Sequence, residues 1–188
     1  NQNHAPLGRS PRYLSASQAE RIVPPVFNAS RNGGHYGIHS DAALMHVPGS
    51  PTRLRADLSA TLFLSAPEDY DGGELQIEGE FGAQTVKLAA GDMVLYPSSS
   101  LHQVTPVTRG ERICAITWIQ SAVADASARA MLFDLDTSIQ SLSAGQGPHD
   151  PANDRQVHFY QNNVRPRAPP TRATSRQQHA DAQAAAYA

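Results

Sequence analysis

Short apolar runs recur at close spacing between residues 36 and 120, each closed by a cluster of Gly, Pro, Asp or Ser. Strand signals this brief and this frequent favour an all-β sandwich or barrel over a plan that alternates strands with helices. The expected strands are 36–41, 58–65, 74–78, 85–88, 93–96, 102–107 and 112–120. Asp71-Gly72-Gly73 and Ala90-Gly91-Asp92 read as turns, since both hold residues that tolerate positive φ. Many antiparallel strands around a polar site describe a mainly β jelly roll, or double-stranded β-helix.

The pattern changes after residue 123. Ala128, Met131, Leu132, Leu135, Ile139 and Leu142 recur at intervals of three and four, which is one face of a helix, expected to pack on the outside of the barrel. Beyond it Gly, Pro, Gln, Arg and Ala dominate and periodicity is lost, so 1–142 is expected to form one domain and 143–188 a loosely ordered tail. A chain of 188 residues suits a single domain with a real core. It opens on Asn1 rather than Met, and the N-terminal part of the domain is expected to be incomplete.

Charge and cysteine usage narrow the partners. Lys and Arg total 15 against 17 Asp and Glu, so no strongly basic field draws the chain onto nucleic acid or an anionic membrane. No apolar run approaches the roughly 20 residues of a membrane span, and the first residues lack the layout of a signal peptide. The single cysteine, Cys114, lies in an apolar run and reads as a buried free thiol in a reducing compartment. The expectation is a cytoplasmic protein with no nucleic-acid or membrane partner; its oligomeric state stays open.

His39-Ser40-Asp41 places an imidazole and a carboxylate two residues apart, on the same side of an extended strand. They can share one ion. A third ligand from a distant strand completes a two-histidine, one-carboxylate facial triad, which leaves coordination positions open and suits non-haem iron(II) oxygenases. His102, which opens the run His102-Gln103-Val104, is the best candidate. His35 and His46 compete with His39, but neither has a carboxylate two residues later; His4, His149, His158 and His179 fall in weakly patterned ends.

Arg112 opens a last strand in which Arg112, Cys114, Ile116 and Trp118 alternate onto one face. If Thr108-Arg109-Gly110 turns the chain in a short hairpin, Arg112 falls about four residues from the level of His102, roughly 13 Å along the strand. A guanidinium there can hold the far carboxylate of a five-carbon diacid, because its planar fork makes two parallel hydrogen bonds. Arg109 is the rival, though it sits at the expected turn tip. Trp118 reads either as a wall of the same pocket or as a core tryptophan. Tyr36 lies three residues before His39, which breaks strand parity. Asp57, beside Arg55, reads as half of a structural ion pair, and Asp71 with Gly72 and Gly73 as hairpin punctuation.

The order His39-x-Asp41, His102 and an arginine ten positions on resembles the prolyl-hydroxylase-like 2-oxoglutarate dioxygenases. The segments Arg55-Ala-Asp57-Leu-Ser-Ala-Thr-Leu-Phe-Leu64, Pro67-Glu-Asp-Tyr-Asp-Gly-Gly-Glu-Leu75, Leu95-Tyr-Pro-Ser-Ser-Ser-Leu-His102 and Val104-Thr-Pro-Val-Thr-Arg-Gly110 are similar to bacterial PKHD-type hydroxylases linked with iron uptake. This resemblance covers roughly Tyr13 to Leu142. It implies iron(II) held by His39, Asp41 and His102, 2-oxoglutarate anchored by Arg112, and L-ascorbate as supporting reductant. It further implies an oxidoreductase that uses O₂ to hydroxylate a small molecule or peptide. The alternative is a non-catalytic, cupin-like protein that binds iron and 2-oxoglutarate as a sensor.

Overall fold

Thirteen strands and two helices follow one another in the computed structural model, which describes residues 10–79 and 81–145. They fall into two compact units, one of them Ala19–Ser121 and the other made of the flanking segments. The strands of the first unit begin with β1 (Ala19–Ile22), β2 (Val26–Ser30), β3 (Tyr36–His39), β4 (Leu44–His46), β5 (Arg53–Arg55) and β6 (Leu58–Phe63). They continue with β7 (Tyr70–Gly72), β8 (Leu75–Gly79), β9 (Gly82–Val86), β10 (Met93–Pro97), β11 (His102–Val104), β12 (Val107–Gly110) and β13 (Arg112–Ser121).

All strand pairs are antiparallel, and they build two main sheets. The ten-residue β13 organises the larger one: β1 and β2 lie end to end along one edge, while β6 and then β10 follow on the other. The smaller sheet runs β3-β11-β8-β9. Two further pairs, β4 with β5 and β7 with β12, complete the unit. The sandwich is the expected jelly roll. Its core is apolar, with Phe63, Tyr70, Leu75, Val107, Cys114 and Ile119 fully or almost fully buried. The side chains of Arg55 and Asp57 form the anticipated ion pair through two contacts of 2.7 and 2.9 Å.

One connection differs from the expectation. The strand expected at 102–107 divides into β11 and β12, and β12 pairs with β7 rather than turning back as a hairpin onto β13. The chain crosses from one sheet to the other between His102 and Arg112, so these residues face each other across the sandwich instead of along one ladder. Glycine makes the crossing possible: Gly110 has φ +70°, and a Cβ there would come within 1.9 Å of the Asp69 carbonyl oxygen. Arg109, on β12, is exposed and pairs with Asp71 at 2.7 Å, which pulls that carboxyl below the usual range.

The second unit contains α1 (Pro11–Ser17) and α2 (Ala126–Gly145). Ser10 caps α1 by accepting from the Tyr13 N–H, and Pro11 takes the first helical position, where no N–H is needed. Helix α2 is the C-terminal helix foreseen, but its buried stripe is narrower. Leu132 and Ile139 pack with Val123 and Ala128, while Met131 and Leu135 are exposed. Residues 128, 132 and 139 stack nearly in line on a helix; 131 falls about 100° from 132. Most of the tail expected at 143–188, and the outlying His4, His149, His158 and His179, lie outside the described residues. Among those described, no helix is long and apolar enough to cross a membrane.

Candidate metal centre

Strand β3 ends on His39, and Asp41 lies just past it rather than within a strand as expected. Its N–H donates to the Ser98 carbonyl at 3.0 Å, so the backbone near the end of β10 fixes where it leaves the sheet. His102 opens β11 and pairs directly with His39 in the ladder, their rings 4.2 Å apart. The three residues offer ligand atoms that all lie within 4.8 Å of one another. Both imidazoles approach the carboxylate through Nε2, His39 at 3.8 Å from Oδ1 and His102 at 3.8 Å from Oδ2.

The same local device orients both rings. Nδ1 of His39 lies 2.9 Å from the Gly37 carbonyl, and Nδ1 of His102 lies 2.9 Å from the Ser100 carbonyl. A carbonyl only accepts, so each Nδ1 carries the hydrogen and each Nε2 keeps its lone pair toward Asp41. That is the tautomer a metal requires.

A cavity of about 190 Å³ opens from these ligands between the two sheets. A row of side chains from three neighbouring strands, Trp118, Ser59 and Tyr96, stands on one face of the larger sheet, and its outer two members line the cavity. Next to it stand Ile116, Thr61 and Arg112. Arg112 is 2 % exposed, donates to the Cys114 sulfur at 3.0 Å, and has its guanidinium 5.5 Å from the centre of the Phe63 ring. No ion pair among the described residues includes it. Its Nε and the Nε1 of Trp118 are both buried without a hydrogen-bond partner. Tyr96, 6 % exposed, packs edge-on against His102 at 5.0 Å. Burial pushes its hydroxyl up to about 12, partly countered by the neighbouring Thr61 hydroxyl.

The sequence-predicted residues thus converge: His39, Asp41, His102, Arg112 and Trp118 all line this one cavity. His46 does not; it is exposed on β4. His35 lies at the rim, its Nδ1 3.0 Å from the Gly33 carbonyl. Tyr36 joins the site despite its parity. On β3 it is three positions from His39, where their partners Val104 and His102 on β11 are two apart, and this bulge returns Tyr36 to the inner face. Its ring lies 4.4 Å from that of His39. Sequence reasoning missed the β2 side chains Asn28 and Ser30, which pair with Cys114 and Arg112 and so share their inward face. Nothing in the alternation of Val26-Phe27-Asn28-Ala29-Ser30 marks it as a strand beside a pocket.

The donor set suits a divalent transition metal with open positions, being two imidazoles and one carboxylate. The unpartnered donors opposite suit an anion, because a buried N–H without an acceptor is otherwise costly.

Family models and sequence relatives bear on both. A family model described as the 2OG-Fe(II) oxygenase superfamily matches residues 25–120, and one described as the PKHD-type hydroxylase C-terminal domain matches residues 126–168. A PKHD-type hydroxylase from Teredinibacter turnerae is 58 % identical over 159 residues, which are 85 % of this chain and 70 % of that one. One from Acidovorax ebreus is 56 % identical over the same shares. A crystal structure of a Pseudomonas putida prolyl-4-hydroxylase is 26 % identical, with a TM-score of 0.44, and 55 % of each chain is covered.

Proposed function

Because this chain belongs to the 2OG-Fe(II) oxygenase superfamily, among the PKHD-type hydroxylases, we propose that its cavity binds iron(II) and 2-oxoglutarate and hydroxylates a substrate presented at the rim. In this reading His39 and His102 bind iron through Nε2 and Asp41 through its carboxylate. Arg112 and Trp118 receive the far carboxylate of 2-oxoglutarate. The observation that carries the reading is the juxtaposition of three oriented ligands with buried, unpartnered donors across one cavity. Iron(II) with 2-oxoglutarate supplies the chemistry, in which O₂ is consumed, the cosubstrate yields succinate and CO₂, and the substrate gains a hydroxyl group.

The chain's own part is to bind, orient and exclude water. In this reading the cavity of about 190 Å³ between the sheets takes the cosubstrate. The bulk of a small molecule or peptide substrate stays outside, against Asn28, Ser30, His35 and Tyr36. Ascorbate as the reductant that maintains iron(II), and a cytoplasmic setting consistent with the free, buried Cys114, belong to the same proposal.

The test is anaerobic addition of iron(II) and then 2-oxoglutarate, followed by admission of O₂. The expected results are a visible charge-transfer band that His102→Ala abolishes, and 2-oxoglutarate-dependent succinate formation. A band without succinate, with candidate peptides and small molecules present, would replace the enzyme by a binding or sensor protein.

A further inference from the structure

We propose that two buried serines, Ser59 and Ser98, present the Asp41 carboxylate to the metal through a single oxygen. The proposal rests on the metal reading above and adds two positioning residues to it. Ser59 is the second residue of β6, flanked by Trp118 on one neighbouring strand and Tyr96 on the other, and it is wholly buried. Ser98, just after β10, is 1 % exposed. A hydroxyl in such a place is destabilising unless it is hydrogen-bonded. Ser59 Oγ lies 2.5 Å from Asp41 Oδ2 and 2.8 Å from Ser98 Oγ.

Donor arithmetic sets the direction. A carboxylate only accepts, so Ser59 donates its one hydrogen to Asp41, and Ser98 must donate to Ser59. Ser98 is itself held at both backbone groups: its N–H donates to the Asp57 carbonyl at 3.2 Å and its carbonyl accepts from the Asp41 N–H at 3.0 Å. The backbone and the carboxylate of Asp41 are therefore tied to the same residue, one directly and the other through Ser59.

This matters because Asp41 stands outside any strand, where no ladder fixes it. The oxygen Oδ2 is engaged by Ser59, and Oδ1 accepts no hydrogen bond among the described residues. An engaged oxygen resists joining the metal, and single-oxygen binding keeps positions open for a cosubstrate and O₂. Each ligand then has its own support: a carbonyl for each histidine and a hydroxyl relay for the aspartate.

Cobalt(II) is the probe, because its visible d–d absorption weakens as coordination number rises and it binds without turnover. In the full chain, Ser59→Ala should raise the cobalt dissociation constant by about 10- to 100-fold. It should also weaken the absorption per bound ion, with the metal-free variant still melting in one cooperative transition. Ser59→Thr, which keeps the hydroxyl, should recover both values. A folded Ser59→Ala protein with the wild-type constant and spectrum overturns the relay. Should that variant fail to fold, Ser98→Ala decides: a weaker constant and altered spectrum support the relay, and unchanged values overturn it. Wild-type protein that binds no cobalt overturns the metal reading itself, a result distinct from loss confined to the serine variants.

Discussion

The two walls of the cavity are built on opposite plans. On the side of β3 and β11 every ligating group has a partner before any ligand arrives: Gly37 for His39, Ser100 for His102, Ser59 for Asp41. On the side of β13, Arg112 Nε and Trp118 Nε1 are buried and unpaired. The first wall is oriented in advance, each candidate ligand being held by a partner of its own. The second is left incomplete, its buried donors open to the anion that the proposed function places there. Removing side chains from the two walls should therefore have different signatures, and each substitution below tests that contrast.

The largest effect belongs to the first wall. His102→Ala should reduce iron affinity by more than the about 10- to 100-fold expected for loss of a supporting hydrogen bond, and abolish succinate formation. Chelator competition and succinate assay check this. Retention of tight iron binding would break the contrast at its root.

Arg112→Met comes next and should carry two signs. Losing a charge-assisted pair of hydrogen bonds, worth about 3 kcal/mol or more, weakens 2-oxoglutarate binding by roughly 100-fold or more. Yet the ligand-free protein should become more stable by about 1–4 kcal/mol, because a buried guanidinium without a carboxylate is replaced by an apolar chain of similar volume. Iron affinity should be unchanged. Denaturant melts of the ligand-free protein settle the second sign; a loss of stability would mean that Cys114 and Phe63 already satisfy the arginine.

The two walls also differ in how far they could be read from sequence. The candidate triad rests on residue types and order, and His39, Asp41 and His102 could be named from these together with the strand pattern around His102 and the arginine ten positions on. Arg112 and Trp118 follow from period-two alternation along β13, the longest strand and the one least ambiguous in pattern. What escaped was set by pairing rather than by pattern. β4, β5 and β7 are three residues long, and β2 is almost wholly exposed, so none carries an apolar alternation. The bulge that returns Tyr36 to the inner face is a register shift, invisible without its partner strand. The hairpin expected at Arg109 failed because a glycine turn fits a crossing between sheets as well as a reversal within one. Ser59 did leave a trace: a small polar residue in Leu58-Ser59-Ala60-Thr61-Leu62-Phe63, on the face that Thr61 and Phe63 share. Two hydroxyls pointing into a core are a signal that something there accepts hydrogen bonds.

Tyr96 stands at the seam, its ring on His102 and its hydroxyl beside Thr61. Burial raises its folded-state value to about 12, against about 10 in an unfolded chain. Between those values the unfolded state has released the proton and the native state has not, so stability falls as pH rises. The loss should reach about 2 kcal/mol by pH ~12, with none below pH ~9 from this group. Tyr96→Phe should remove that part of the alkaline loss, as read from melting temperatures between pH 9 and 12. If the slope persists unchanged, the seam is open to water and the two walls do not share a dry interior.

Trp118→Phe gives the smallest and most selective test of the second wall. It deletes the unpaired Nε1–H while keeping an aromatic ring. If that donor waits for an anion, losing one hydrogen bond of about 1 kcal/mol should weaken 2-oxoglutarate binding about fivefold. Stability of the ligand-free protein should change by less than about 1 kcal/mol, since relief of an unsatisfied donor offsets the smaller ring. Iron affinity and the cobalt spectrum should stay at wild-type values. Equal 2-oxoglutarate affinity in the two proteins would make Trp118 a core residue and leave Arg112 to hold the anion without it. A parallel loss of iron binding would mean that the row Trp118, Ser59 and Tyr96 transmits packing to Asp41, joining the walls mechanically.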